Sequence, residues 1–200
     1  MNLIKLYYFD IDKLNDDIIN NLKYINDIDI INSKKYKKKE NEYQNIISTY
    51  FKKKYIKDYY IDKFNKPKSD NIYFNISHAK NMVIFAYYNK DIGIDIEKIK
   101  EVDLNLKRYI STDIEFKLIN NDIDFFKIWT SKESLAKCIG MGINKDIKEF
   151  ISIPFDGKKI YLDNIYYSHI IKKDDFIISV TIKDNIDFNI ILEEEILEFK

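Results

Sequence analysis

Residues 91–97 constrain the fold of this chain more than any other stretch. Isoleucine alternates there with glycine or an acidic residue, so Gly93, Asp95 and Glu97 share one face and the isoleucines share the other. This period of two predicts a half-buried β-strand. Gly93 has no side chain, which indicates a place where a ligand or a second stretch of backbone comes close.

The acidic face of this strand indicates a bound cation. Asp95 and Glu97 repel each other unless positive charge lies between them. A hard cation such as Mg²⁺, held by one or two carboxylates together with phosphate oxygens of a substrate, fits this arrangement. The spacing is not specific on its own, because 33 of the 200 residues are Asp or Glu. Specificity has to come from further segments of the chain.

Residues 125–139 show a helical period instead. Six apolar residues fall on one arc, which predicts an amphipathic helix packed on a core: Phe125, Ile128, Trp129, Leu135, Ala136 and Ile139. Glu133 and Lys137 lie one turn apart at the edge of that arc. They could present a metal ligand and a phosphate-binding charge side by side, and the alternative is an ordinary surface ion pair. Lys132 points into the middle of the apolar arc.

Composition excludes several classes of function. With 46% hydrophobic residues, the chain can bury a core as one domain or as two small lobes. The net charge is zero, so no global field favours nucleic acid or a membrane as partner. A single cysteine excludes an internal disulfide. With only one cysteine and two histidines, the chain has too few of the usual ligands to favour a zinc site. The N-terminus has no long apolar run, and we expect a cytoplasmic protein.

The order of predicted elements indicates an α+β fold. Strands are predicted near residues 2–8, 72–76, 82–88, 149–153, 158–162, 165–171 and 176–182, with a turn at 77–81. Helices are predicted near 43–51, 103–121 and 125–139. Each half therefore has a helix followed by hairpin-like strands. We interpret this as two pseudo-symmetric lobes, residues 1–90 and 91–200, each a small antiparallel sheet packed with a long helix, with the active site at their interface.

Four segments together resemble a known family. They are residues 66–67 with Lys66 and Pro67, residues 74–78 with Ser77 and His78, residues 92–97, and a segment with Trp129, Lys132, Glu133, Lys137, Gly140 and Gly142. The set is similar to the 4′-phosphopantetheinyl transferase family, in its long pseudo-dimeric type that activates peptide and polyketide synthases. The resemblance implies Mg²⁺-dependent transfer of the phosphopantetheine arm of coenzyme A to a serine of an apo carrier protein. Adenosine 3′,5′-bisphosphate would be released.

The resemblance also implies roles for individual residues. Asp95, Glu97 and Glu133 would hold Mg²⁺ on the pyrophosphate, and Lys137 would contact the pyrophosphate. Ser77 and His78 would bind the 3′-phosphate end, and the backbone at Lys66 and Pro67 would contact the adenine.

Glu133 and Lys137 are the catalytic candidates. Glu133 is the best candidate for helping to deprotonate the carrier serine, and the charge of Lys137 is expected to lower its pKa. Phosphoryl transfer needs mainly positioning and charge neutralisation, which this set can supply.

Two other functions remain open at this point. One is a non-catalytic module that binds coenzyme A or a nucleotide, and the other is a different Mg²⁺-dependent phosphotransferase, although no phosphate-binding G-x-x-x-x-G-K-[ST] loop is present. Lysines at 34–39 and 52–54 are solvated, or else serve an acidic ligand or carrier surface. We expect a monomer, because in this family two lobes take the place of a dimer.

Overall fold

The computed structural model describes residues 2–61, 67–140, 152–153 and 155–200. Its strands are β1 (Asn2–Asp10), β2 (Tyr60–Ile61), β3 (Pro67–Lys68), β4 (Tyr73–Ala79), β5 (Met82–Tyr88), β6 (Ile92–Lys98), β7 (Gly157–Tyr161), β8 (Asn164–Lys173), β9 (Phe176–Ile182) and β10 (Phe188–Glu194). Its α-helices are α1 (Asp16–Asn21), α2 (Asp27–Ser33), α3 (Lys39–Phe51), α4 (Leu104–Ile110), α5 (Asp113–Phe116) and α6 (Asp122–Ile139). The α+β class is confirmed.

Two four-stranded sheets form the centre of the fold. The first has the order β10-β1-β5-β4, and the second has the order β6-β9-β8-β7. All pairs in the second sheet are antiparallel. The first sheet departs from the predicted antiparallel arrangement, because β10 runs parallel to β1. The division predicted at residue 90 stays a prediction, and β10 crosses it.

A helix covers one face of each sheet. Helix α3 packs Ile47 and Phe51 against Phe85 of the first sheet. Helix α6 packs Leu135 against Ile177 of the second sheet. The remaining faces of the two sheets share a third apolar core, to which both sheets contribute: Ile4, Leu6, Ile84 and Ala86 from the first, and Ile92, Ile94, Ile96 and Val180 from the second.

The contact between β6 and α6 explains Gly93. A Cβ atom at this position would lie 2.0 Å from the backbone oxygen of Ser134, closer than any real contact. The prediction that a second backbone approaches Gly93 is therefore confirmed, and that backbone belongs to a helix. The prediction of a half-buried strand is wrong, because both faces of β6 are covered: the isoleucines by the shared core and Asp95 by α6.

Some predicted boundaries were also wrong. Ser77 and His78 belong to β4, and the turn to β5 is made by Lys80 and Asn81, since the β4–β5 pairing continues to Ala79. The predicted helix at 103–121 is two short helices, because Thr112 caps a new helix start with Glu115. Most of the predicted strand at 149–153 lies outside the described residues. No helix in the described part of the chain is long and apolar enough to cross a membrane.

Candidate active site

A cavity of about 240 Å³ opens between β4 of the first sheet and β6 and α6 of the second. It contains six of the eight site residues predicted from the sequence. Its lining is Ile76, Ser77, His78, Asp95, Ile96, Glu97, Trp129, Glu133 and Lys137. Three secondary structure elements that are far apart in sequence therefore contribute polar side chains to one cavity.

Asp95 lies at the base of the cavity and is only 5% exposed. Its Oδ1 accepts hydrogen bonds from Lys137 Nζ at 2.6 Å and from Ser77 Oγ at 3.0 Å. Its Oδ2 is buried and has no hydrogen-bond partner among the described residues. Burial raises the pKa of the Asp95 carboxyl, and the charge of Lys137 opposes that rise. One carboxylate oxygen is thus satisfied by the protein, and the other is free for a ligand.

Glu133 does not pair with Lys137 as the helical spacing suggested, because Lys137 reaches across to Asp95 on β6. Glu133 is 2% exposed, and its buried Oε1 has no hydrogen-bond partner in the described part of the structure. Burial, with the negative charge of Asp95 second, raises its pKa to about 7. The expected lowering by Lys137 is present but smaller, so the predicted direction of the shift was wrong.

Glu97 accepts a hydrogen bond from the indole nitrogen of Trp129, with 3.0 Å between Nε1 and Oε1. Burial and the neighbouring charge of Asp95 raise the pKa of Glu97. From the sequence, Trp129 was predicted only to be a core residue, because it falls on the apolar arc of α6. The structure also places it on the cavity wall. The available signal was that Trp129 is the single tryptophan of the chain.

His78 lies beside Ser77 at the cavity wall. His78 keeps exposed surface, but partial desolvation by the surrounding protein still lowers the pKa of its imidazole, and the charge of Lys137 lowers it further. Its ring is therefore neutral near pH 7, and it can donate one hydrogen bond rather than supply a positive charge.

The three carboxylates have the chemistry of a site for a hard cation. Carboxylate oxygens are the protein ligands that Mg²⁺ prefers. Two buried oxygens without partners, one on Asp95 and one on Glu133, match that use. In the described residues, no three acidic, histidine or cysteine side chains lie close enough to hold one ion as they stand. The Lys137 ammonium group lies 2.6 Å from Asp95 Oδ1 and balances the charge of that carboxylate.

A second cavity, of about 230 Å³, adjoins the first and shares His78 and Glu97 with it. Its other lining residues are Glu40, Asn41, Gln44, Ala79, Lys80, Lys98 and Lys100. Lys98 forms a salt bridge with Asp175. The Gln44 amide donates to the backbone oxygen of Lys80 at 2.7 Å and holds the turn between β4 and β5. The second cavity therefore presents lysines next to the carboxylate cavity.

The basic clusters predicted to serve a ligand are partly engaged within the chain. Lys53 contacts Asp29 at 2.5 Å. Lys54 contacts Glu195 at 2.7 Å and Glu198 at 2.9 Å, which ties the segment that follows α3 to the C-terminal segment. These two lysines are therefore paired with carboxylates of the chain itself.

Lys132 is fully buried, and its ion pair explains how α6 tolerates it. Its Nζ lies 2.9 Å from Oε2 of Glu115 on α5. Glu115 also accepts hydrogen bonds from the backbone nitrogens of Thr112 and Ser152. A buried charge is tolerated when it is paired and hydrogen-bonded, so Lys132 connects α6 to α5 and does not line the cavity.

Three positions singled out from the sequence remain: Lys66, Pro67 and Gly142. Lys66 and Gly142 lie outside the described residues. Pro67 lies in β3, opposite Ile61, and lines neither of the two cavities. The predicted contact of Lys66 and Pro67 with adenine stays a prediction.

Comparison with known proteins agrees with these features. Residues 91–181 match the model of the 4′-phosphopantetheinyl transferase superfamily. The chain is 38% identical over 96 residues to 4′-phosphopantetheinyl transferase gsp of Aneurinibacillus migulanus, which covers 44% of this chain and 40% of that protein. It is 37% identical over 90 residues to 4′-phosphopantetheinyl transferase Sfp of Bacillus subtilis (strain 168), covering 42% and 40%. The matched segment thus spans about 40% of the length of these relatives. The resemblance inferred from the motifs is confirmed.

Proposed function

We propose that this chain, whose residues 91–181 match the 4′-phosphopantetheinyl transferase superfamily, transfers the 4′-phosphopantetheine arm of coenzyme A to a serine of an apo carrier protein. The serine oxygen would attack the pantetheine-bearing phosphorus, the bond to the second phosphate would break, and adenosine 3′,5′-bisphosphate would leave. The observation that carries the proposal is the cavity lined by Asp95, Glu133 and Lys137, in which each carboxylate has one buried oxygen without a hydrogen-bond partner among the described residues.

The carboxylates would hold Mg²⁺ on the pyrophosphate. Asp95, Glu97 and Glu133 are the residues for this role, and the bound cation would neutralise charge that develops on the transferring phosphate. Lys137 would move its ammonium group from Asp95 to a pyrophosphate oxygen, since its side chain is 28% exposed and not locked in the core. Trp129 would keep one oxygen of Glu97 fixed through its indole N–H.

Glu133 is the candidate to accept the proton of the carrier serine. A general base works best when its pKa is near the operating pH. Burial brings the pKa of Glu133 to about 7. A cation held by the same carboxylate would lower this pKa, so Glu133 would accept the proton through a bridging water. The nucleophile itself belongs to the carrier protein.

The second cavity would receive the 3′-phosphate of coenzyme A. His78 connects the two cavities and donates one hydrogen bond as a neutral ring. Positive charge would come from Lys80 and Lys100, which line the second cavity and form no salt bridge with another described residue. Ser77 would contribute its hydroxyl at the boundary. Coenzyme A carries a 3′-phosphate and a pyrophosphate, and the two adjoining cavities would receive one group each.

The arrangement of the whole chain is part of the proposal. The two helix-covered sheets would be pseudo-symmetric lobes with the active site at their interface, formed mainly by residues 1–90 and 91–200, with β10 exchanged into the first lobe. One chain then supplies both sides of the site, so a monomer would be active. It would work in the cytoplasm.

One assay tests this function. The protein is incubated with coenzyme A, Mg²⁺ and a set of apo carrier proteins, and each carrier is weighed by mass spectrometry. We expect the mass of one phosphopantetheine arm on the carrier serine and no addition when that serine is alanine. Binding of coenzyme A without any addition, on every carrier, would support a non-catalytic binding module instead.

A further inference from the structure

Strands β4 and β6 face each other at a seam between the two sheets. Each is the edge strand of its own sheet, and no backbone ladder joins them in the described part of the chain. Side chains of β4 make the hydrogen bonds across this seam. Asn75 Oδ1 accepts from the backbone nitrogen of Ile94 at 3.2 Å, and Ser77 Oγ donates to Asp95 Oδ1 at 3.0 Å.

The two contacts follow from strand geometry. Asn75 and Ser77 are two residues apart, so they point to the same side of β4. Their partners, Ile94 and Asp95, are successive residues of β6. Asn75 therefore holds the backbone of β6 by a hydrogen bond at Ile94, one residue before Asp95, whose carboxylate Ser77 contacts.

Ile94 has no exposed surface, so its N–H needs a partner inside the protein. The Asn75 amide is the acceptor that the seam offers, and the neighbouring strand β5 pairs with the opposite edge of β4. Without this acceptor, the N–H would be buried and unpaired, or β4 and β6 would separate to admit water. Either change would move Asp95 relative to Ser77 and to α6.

We propose that Asn75 is a positioning residue: it fixes the register of β4 against β6 and so aims Asp95 into the cation site. The proposal rests on the proposed function, because it takes the cation to be the Mg²⁺ of that reaction. It assigns Asn75 no contact with the metal or the substrate. Its effect passes through the Ile94 backbone to Asp95.

The test compares Mg²⁺ affinity in variants of the full chain. Asn75→Ala removes the acceptor, and we expect the Mg²⁺ concentration at half-saturation to rise about tenfold, the lower end of the range for residues that orient metal ligands. Asn75→Asp keeps an acceptor oxygen at the same place, and we expect it to restore half-saturation to the wild-type range. Asn75→Leu keeps the bulk and has no acceptor, so we expect it to bind Mg²⁺ as weakly as Asn75→Ala; a wild-type titration in Asn75→Leu would show that Asn75 only supplies bulk and would overturn the proposal.

The single tryptophan provides a readout that does not depend on activity. Trp129 donates to Glu97 in the same cavity, so its fluorescence should change when Mg²⁺ binds. Fluorescence is titrated with Mg²⁺ in the presence of coenzyme A, and the melting temperature is followed in parallel. Ile47→Val is the matched control, because it weakens the core under α3 and does not touch the seam.

The outcomes separate this proposal from the function it rests on. A shifted Mg²⁺ titration in Asn75→Ala, normal titrations in Asn75→Asp and Ile47→Val, and a lower melting temperature in Ile47→Val would support it. An unshifted titration in Asn75→Ala, or an Asn75→Asp titration as weak as that of Asn75→Ala, would overturn it. A wild type that shows no response to Mg²⁺ would overturn it as well. A wild type that binds Mg²⁺ and modifies no carrier would instead contradict the proposed function.

Discussion

Replacing Glu133 by glutamine should make the metal-free protein more stable at alkaline pH and much less active. Folding raises the pKa of Glu133 from its ordinary value of 4.5 to about 7, with burial as the main cause. The folded state therefore holds a proton on this carboxyl more tightly than the unfolded chain does. Its stabilising contribution is fully present below pH 4.5 and is lost as the pH rises through about 7.

The size of this effect follows from the pKa. Each unit corresponds to about 1.4 kcal/mol, so ionised Glu133 lowers the free energy of unfolding at pH 8 by about 3 kcal/mol. Glutamine keeps the shape and carries no charge. For a protein of this length, Glu133→Gln should melt about 6–12 °C above the wild type at pH 8. The two proteins should melt at similar temperatures near pH 4.5.

The measurement is a thermal melt from pH 4.5 to 8 in the presence of EDTA. Glu101→Gln, which removes an exposed carboxylate, is the matched control, and its melting temperature should stay close to that of the wild type at every pH. In the transferase assay, Glu133→Gln should lower turnover about a hundredfold, the usual scale for lost general-base assistance, and raise the Mg²⁺ requirement. A pH-independent difference in melting temperature would refute the electrostatic reasoning. Near-normal turnover with an unchanged Mg²⁺ titration would refute the assignment of Glu133 to the site.

Further predictions concern the lysines, the histidine and the glycine around the cavities. His78→Ala should weaken coenzyme A at least about tenfold more than dephospho-coenzyme A, as expected for a lost hydrogen bond to a charged group; equal losses would indicate a structural histidine. Charge reversal at Lys80 and Lys100 should raise KM for coenzyme A and make this KM less dependent on salt concentration. An unchanged salt dependence of KM would indicate that both lysines are only solvated surface residues. Lys54→Glu should instead lower the melting temperature, because its two carboxylate partners would repel the new charge; a shift in KM without destabilisation would contradict this. Gly93→Ala should destabilise the protein by about 1–3 kcal/mol or more in chemical denaturation, since the added Cβ enters the α6 backbone, and a wild-type midpoint would contradict the close packing.

Local periodicity was enough to predict much of this fold. The alternation at 92–97 and the apolar arc of 125–139 correspond to β6 and to the main part of α6. A strand or helix pattern depends on neighbours within a few residues, which the chain itself displays. The same patterns placed Asp95, Glu97, Glu133 and Lys137 on faces from which they could converge.

Strand β10 and the charge pairs depended on the tertiary structure. The sequence contains no signal that residues 188–194 pair in parallel with residues 2–8, because that pairing is decided by which edge of the first sheet is open. Helical spacing paired Lys137 with Glu133, whereas the structure pairs it with Asp95 across the α6–β6 contact.

The remaining features of the site have the same cause. The raised pKa of Glu133 comes from burial, and burial depends on how α6 lies on the sheet. The hydrogen bonds from Trp129 to Glu97 and from Ile94 to Asn75 join residues 32 and 19 positions apart. Residue type and spacing determined which chemical groups the site could use. The hydrogen-bond partner and the protonation state of each side chain depend on distances in space, which only the packing of the two sheets and α6 decides.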